Sequence, residues 1–301
     1  MLLPQMQLTG TYTALVTPFS NDEEIDMQAL KALVSQQVEK GITGLVPCGT
    51  TGESPTLNHD EHRRVIARVV EWGKSANPDL KILAGTGSNS TKEAIELTRA
   101  AANDGADFAL LVNPYYNKPT QEGLRQHFTA IADDSKIPIV LYNIPGRTAV
   151  TLSIETVIAL SKHPNIIGIK EATGDLNFMA QVIVSTADDF SLMSGDDNLL
   201  LPVLSLGGNG IISVISNLYP EQTSQVTKLH QAGKLEEAKA MFFTLFPLMG
   251  AMFSETNPIP VKYAMSYKGL IENTLRLPLT RLSEVYCDQI NTLIDEVDKK
   301  I

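Results

Sequence analysis

The sequence predicts an α/β chain folded as a (β/α)8 TIM barrel with a C-terminal helical domain. Three observations carry this: eight short β-rich apolar runs, amphipathic segments between most of them, and a final quarter in which the strand signal stops. The runs lie at 11–18, 44–49, 81–85, 108–113, 138–143, 166–170, 190–194 and 210–214. Most intervening segments have helical periodicity, and Asn58-His59-Asp60-Glu61 and Ser90-Thr91-Lys92-Glu93 have the spacing of a capping box. Strands alternating with helices pair in parallel through right-handed crossovers. Eight such units suggest closure, with an open doubly wound sheet as the alternative. Beyond Pro220 the segments 221–231, 235–253, 260–270 and 283–298 read as helices. The expected division is a barrel over 1–222 and a helical domain over 223–301. No long linker separates them, so the tail should pack on the barrel.

Composition narrows the class of function. A net charge of −10 argues against a generic basic surface for nucleic acid. Two cysteines, Cys48 and Cys287, supply neither a disulfide framework nor zinc-type spacing. The N-terminus lacks the pattern of a signal peptide, and no apolar stretch approaches the ~20 residues that span a bilayer. The expectation is a cytoplasmic enzyme or binding protein, without membrane or nucleic-acid partners and with no metal or cofactor site in the sequence.

Polar residues concentrate just after the strand runs: Gly49-Thr50-Thr51-Gly52-Glu53, Asn113-Pro114-Tyr115-Tyr116-Asn117, Tyr142-Asn143-Ile144-Pro145-Gly146-Arg147, Lys170-Glu171 and Ser194-Gly195-Asp196-Asp197. In a barrel these ends converge on one face, where active sites of this architecture are built. Lys170 closes a run apolar on both faces, Ile167 and Ile169 pointing one way and Ile166 and Gly168 the other with the lysine. A cation so placed finds a carboxylate, snorkels, or gives up its proton and becomes a nucleophile. Imine formation needs the neutral amine, and an ordinary lysine with a pKa of about 10.4 is well under ~1% neutral at pH 7, so burial must lower it. Glu171 is the inert ion-pair partner on the plain reading, although strand alternation turns adjacent residues to opposite faces. Position alone leaves both readings open.

Imine chemistry also needs a proton shuttle, and Tyr142 ends the neighbouring strand on the inward side. A barrel-lining aromatic is its plain alternative. Thr50 and Thr51, in a glycine-flanked loop with free N–H groups, suit a carboxylate, as does Arg147 in its Pro-Gly-Arg turn. A simple turn and a solvated arginine are the plain alternatives. Asp196 and Asp197 suit capping of the next helix more than a cation site.

Five segments then resemble one family: Gly49-Thr50-Thr51-Gly52-Glu53-Ser54, Pro114-Tyr115-Tyr116-Asn117-Lys118-Pro119, Leu141 to Thr148, Gly168 to Gly174, and Ser194-Gly195-Asp196-Asp197. In this order they resemble the dihydrodipicolinate synthase (4-hydroxy-tetrahydrodipicolinate synthase) family of the N-acetylneuraminate lyase superfamily. The similarity extends to Asn257-Pro258-Ile259-Pro260-Val261-Lys262. The resemblance implies a lyase that condenses pyruvate with L-aspartate-4-semialdehyde through a lysine imine, on the route to lysine and diaminopimelate. It assigns the imine to Lys170, proton relay to Tyr142, Thr51 and a Tyr116 lent by a neighbouring subunit, the pyruvate carboxylate to Thr50 and Thr51, and the semialdehyde carboxylate to Arg147. Gly195 and Ile212 would shape the imine pocket through their backbones. A homodimer is then the minimal unit and a homotetramer the expected assembly.

The same resemblance marks Ser54, His59, His62, Asn89, Glu93 and Tyr115 as a feedback site for L-lysine. Capping by Asn89 and Glu93 and a solvated face for His59 and His62 are the plain alternative. Pro55 departs from the small residue common there, and Ala149 from the glycine that commonly follows the Arg-Thr pair. N-acetylneuraminate lyase and other pyruvate-dependent aldolases share the lysine and tyrosine. From another class, a metabolite-sensing barrel without turnover is the remaining alternative.

Overall fold

The computed structural model describes residues 7–301. Its strands are β1 (Gly10–Ala14), β2 (Gly44–Val46), β3 (Lys81–Gly85), β4 (Phe108–Val112), β5 (Ile139–Asn143), β6 (Ile166–Glu171), β7 (Ser191–Ser194) and β8 (Gly210–Ser213). All pair in parallel with their sequence neighbours, and β8 returns to β1, closing the barrel. Closure removes the open-sheet alternative. The first run is strand only to Ala14, since beyond it the Val16 amide bonds to the side chain of Asn217 instead of a ladder partner.

Helices α1 (Met27–Glu39), α2 (His59–Ala76), α3 (Thr91–Asn103) and α4 (Gln121–Asp134) follow the first four strands in turn. A short α5 (Pro145–Thr148) precedes α6 (Ile154–Leu160), and α7 (Leu176–Ser185) and α8 (Leu200–Ser205) cover the next two crossovers. The tail comprises α9 (Pro220–Gln231), α10 (Leu235–Ala251), α11 (Ile259–Tyr267) and α12 (Glu284–Asp298). The expected division after residue 222 falls inside α9, whose Thr227 hydroxyl meets that of Thr11 on β1 at 2.9 Å. None of the helices is long and apolar enough to cross a membrane, among the described residues.

Local sequence sets the helix starts. Asn58 and Glu61 form the reciprocal capping box at α2, a motif whose cap contributes about 1 kcal/mol. Only half of the expected box forms at α3. Ser90 accepts from the Glu93 amide, but the Glu93 carboxylate turns away to Ser88 and His59.

Apolar side chains sort by strand alternation into an inner and an outer layer. The inner core contains Tyr12, Val46, Leu83, Phe108, Leu110, Val140, Tyr142, Met193 and Ile212, and two outer cores lie under the helices. Close packing at the foot of the barrel requires glycine at position 44, where a Cβ would stand 2.3 Å from the Tyr12 ring. One expectation on β6 fails. Ile166 pairs with Ile139 but Gly168 with Val140, so Ile167 is an extra residue in a bulge. Ile166 therefore joins Ile169 in the outer core and Ile167 packs on the inner one. The alternation resumes at Gly168, which brings Lys170 into register with Tyr142.

Candidate active site

Lys170 is 6% exposed and its Nζ lies 4.2 Å from the centre of the Tyr142 ring. Glu171 is not its partner. That carboxylate is buried on the opposite side of β6, accepting from the Asn143 side chain at 2.9 Å and the Thr173 amide at 2.7 Å. Burial raises the Glu171 pKa, against the lowering by these bonds, and nearby Asp196 raises it further. Asp196 is itself pushed up by burial and drawn down by Lys170. The plain ion-pair reading of Lys170 with Glu171 thus fails on geometry.

Gly195 borders the lysine. A Cβ there would lie 3.1 Å from Lys170 Cε and 2.6 Å from the Ala172 Cβ, so the site has room only for a hydrogen. Ile212 is fully buried in the inner core on β8. Asp197 does not cap its own helix. Its carboxylate bonds to the Ser213 hydroxyl at 2.5 Å and the Val214 and Ile215 amides at 3.0 Å, fixing the exit of β8. Burial raises its pKa and these bonds oppose the shift.

A cleft of roughly 320 Å³ opens at the strand ends, lined among others by Thr50, Tyr142, Arg147, Tyr115, Ser54 and Asn257. The loop after β2 turns back through Gly52 N–H to Gly49 O, Glu53 N–H to Thr50 O and Ser54 N–H to Gly49 O. Among the described residues the Thr50 and Thr51 amides make no such turn bond, which leaves them for a ligand carboxylate. The loop leads into the short 3-10 turn Ser54–Thr56, entered through Glu53 at φ +53°.

Asn257 joins the loop after β2 to the Arg147 turn. Its side-chain amide donates to Thr51 Oγ1 at 2.9 Å, and its carbonyl accepts from Arg147 Nη2 at 2.9 Å. Its Oδ1 is buried without a partner among the described residues. Arg147 itself is exposed at the cleft on α5, which ends at Ala149 with φ +56°, a left-handed turn glycine would make without strain. Tyr142 Oη has no hydrogen bond to Thr51 or Tyr116 among the described residues. Tyr116, next in the chain to the cleft-lining Tyr115, is 91% exposed at φ +73°.

The six residues of the second set lie on the loops after β2, β3 and β4 and at the starts of α2 and α3. His59 Nε2 meets Glu93 Oε1 at 2.8 Å, and Asn89 donates to the Tyr115 carbonyl at 3.2 Å. Bonds from Ser88 and then His59 hold Glu93 below its ordinary pKa. His62 is buried, contrary to a solvated face. Its Nε2 bonds the Gly85 carbonyl at 2.9 Å, Nδ1 has no partner among the described residues, and burial lowers its pKa. Ser54 lies on the cleft wall with Tyr115.

Sequence reasoning gave no role to Asn257, Glu53 or Lys262. The last was findable: it is a lone charge among Ile259, Pro260, Val261, Ala264 and Met265, the same signal that singled out Lys170.

Residues 7–297 match the model of the dihydrodipicolinate synthetase family. A 4-hydroxy-tetrahydrodipicolinate synthase of Leptospira biflexa is 54% identical over 275 residues, covering 91% of this chain and 92% of the relative. The dihydrodipicolinate synthase of Acinetobacter baumannii, described as chloride-inhibited and complexed with pyruvate, superposes with a TM-score of 0.93 at 44% identity, covering 96% of this chain and 99% of that one. The lysine-bound enzyme of Cyanidioschyzon merolae does so with a TM-score of 0.93 at 39% identity, over 96% and 98% of the two chains.

Proposed function

The chain belongs to the dihydrodipicolinate synthetase family, and from this membership we propose that its cleft condenses pyruvate with L-aspartate-4-semialdehyde to 4-hydroxy-tetrahydrodipicolinate. The observation that carries this is the convergence of Lys170, Tyr142, Thr51 and Arg147 on the strand ends of one barrel, the last two tied to the same Asn257. The reaction is a step of lysine and diaminopimelate biosynthesis, and the enzyme a Schiff-base-forming lyase.

The residues divide the chemistry as follows. The Thr50 and Thr51 amides hold the pyruvate carboxylate and set its ketone against Lys170. The Lys170 amine attacks the carbonyl carbon, and the carbinolamine loses one water to give the imine. Tyr142 delivers the proton to the departing hydroxyl and accepts one from the pyruvate methyl, leaving an enamine. The enamine carbon attacks the aldehyde of the semialdehyde, whose carboxylate Arg147 clamps. Ring closure by the semialdehyde's own amine displaces Lys170, so the balance is one water released per product. Gly195 and the backbone at Ile212 leave room for the imine.

Tyr116 completes the relay from a neighbouring subunit, which makes a homodimer the minimal competent unit and a homotetramer the expected assembly. Its 91% exposure supports this reading. Ser54, His59, His62, Asn89, Glu93 and Tyr115 form the binding site for L-lysine as feedback inhibitor, supported by the relative with lysine bound. A cytoplasmic location suits a biosynthetic enzyme of this kind.

Borohydride reduction in the presence of pyruvate tests the assignment. A mass increase on Lys170, absent in Lys170→Ala, together with consumption of the semialdehyde but not cleavage of N-acetylneuraminate, is the expected result. Wild-type-like trapping in Lys170→Ala refutes the nucleophile; no trapping in the wild type favours a barrel without turnover.

A further inference from the structure

The loop assigned to the pyruvate carboxylate is gripped from behind by a buried ionic network that the reaction itself does not use. Lys262 on α11 and Glu53 are both fully buried, and Lys262 Nζ donates to Glu53 Oε1 at 2.6 Å. The same ammonium donates to the Thr17 carbonyl at 2.9 Å, and the Thr17 hydroxyl to the Gly52 carbonyl at 2.7 Å. The other Glu53 oxygen accepts from the Arg276 amide at 3.2 Å. Arg276 in turn holds Glu61 with two nitrogens, at 2.6 and 2.8 Å, and the Phe19 ring lies between the two cations, 4.3 Å from Lys262 Nζ and 4.4 Å from the Arg276 guanidinium carbon. Burial pushes Lys262 below its ordinary pKa, and Glu53 opposes the shift.

An ion pair is a poor way to stabilise a core, because desolvating both charges offsets their attraction and apolar side chains of similar size do as well. What it supplies is direction. The lysine fixes Glu53 and Gly52, the two residues that follow Thr50 and Thr51, and the Glu53 amide bonds the Thr50 carbonyl at 3.1 Å. Glu53 must also be held at φ +53°, a backbone state that costs a non-glycine residue of order 1 kcal/mol or more. With these atoms engaged, the Thr50 and Thr51 amides make no turn bond of their own among the described residues, and Thr50 lines the cleft.

We infer that Lys262 is a positioning residue for the pyruvate carboxylate, acting through Glu53 and Thr17 on the Thr50–Thr51 loop. The inference rests on the reading that this loop binds pyruvate. It is tested by measuring borohydride trapping against pyruvate concentration, with thermal midpoints, in the wild type, Lys262→Met, Glu53→Gln and the double variant Glu53→Gln/Lys262→Met. Lys262→Met raises the half-saturating pyruvate concentration at least about tenfold and lowers the midpoint, since Glu53 is left as an unpaired buried charge. The double variant has no orphaned charge and recovers the midpoint, yet keeps the raised half-saturation while its trapping rate at saturating pyruvate stays within about threefold of the wild type. Should Lys262→Met fail to fold, the double variant carries the test. Recovery of wild-type half-saturation in the double variant overturns the inference, because the pair then serves only to cancel its own charges. Failure of the wild type to trap pyruvate at all overturns the underlying reading instead.

Discussion

Lys170 and Tyr142 are register partners across β6 and β5, with the lysine Nζ 4.2 Å from the centre of the tyrosine ring. The amine lies over the ring face and forms no ion pair with the adjacent Glu171, while Asp196 interacts with it electrostatically. Lys262 shows the contrast: it meets a carboxylate directly, Glu53 at 2.6 Å. The two buried lysines thus have different partners, an aromatic ring for Lys170 and a carboxylate for Lys262.

Gly195→Ala tests how tightly Lys170 is confined. The added Cβ would sit 3.1 Å from Lys170 Cε and 2.6 Å from the Ala172 Cβ. Overpacking of this kind costs about 1–3 kcal/mol, and where it falls on the productive lysine rotamer it slows imine formation by roughly 5- to 150-fold. The initial rate of borohydride trapping measures it. Trapping at the wild-type rate would mean that the lysine has space that this geometry denies.

Arg147→Ala separates the two substrates. Its guanidinium contacts the Asn257 carbonyl and lines the cleft, but is not bonded to Lys170 or Tyr142. Losing a charge-assisted bond to a carboxylate is worth about 1.5–3 kcal/mol, or roughly 10- to 150-fold in kcat/KM for the semialdehyde, with pyruvate trapping intact. Equal loss in both assays would assign the arginine to loop structure, held through Asn257.

The barrel was legible because eight apolar runs and their intervening helices carry periodicities of two and about 3.6. The strand-end residues Lys170 and Tyr142 were legible for the same reason: each is polar at the close of an apolar run. Periodicity fails where the backbone does, and the extra residue Ile167 reverses the expected facing of Ile166. Asn257 and Glu53 were not legible, since neither interrupts a pattern, and their partners lie 206 and 209 positions away. Glu93 had a local alternative in its capping box, and the choice of Ser88 and His59 instead depends on α2 and the β3 exit lying side by side.

That diversion makes Glu93 the informative residue for control. Its carboxylate is held ionised by Ser88 and His59 and faces a Tyr115 whose pKa burial raises, with Glu93 adding to the shift. At the proposed L-lysine site this carboxylate would meet an ammonium ligand without first having to lose a proton. Millimolar L-lysine should lower turnover, and Glu93→Gln should raise the half-inhibitory concentration about tenfold or more, the loss of one charged bond. Turnover indifferent to lysine in the wild type removes the site from regulation.

The last prediction concerns acid stability. His127 is buried on α4 with Nδ1 2.9 Å from the Thr91 hydroxyl and Nε2 without a partner among the described residues, and burial lowers its pKa to about 4. The folded state therefore binds fewer protons than the unfolded chain between that value and the ordinary 6.5, so stability is complete above about pH 6.5 and falls as pH drops toward 4. Full expression of the shift is worth roughly 3 kcal/mol. His62 and Glu93, also lowered, act in the same direction, while the raised carboxyls of Glu171, Asp196 and Asp197 oppose it. Thermal midpoints between pH 7 and pH 4 should decline less steeply in His127→Gln than in the wild type, the glutamine keeping a polar contact for Thr91 while carrying no titrating group. Parallel profiles for the two proteins would show that protonation of His127 is not linked to unfolding.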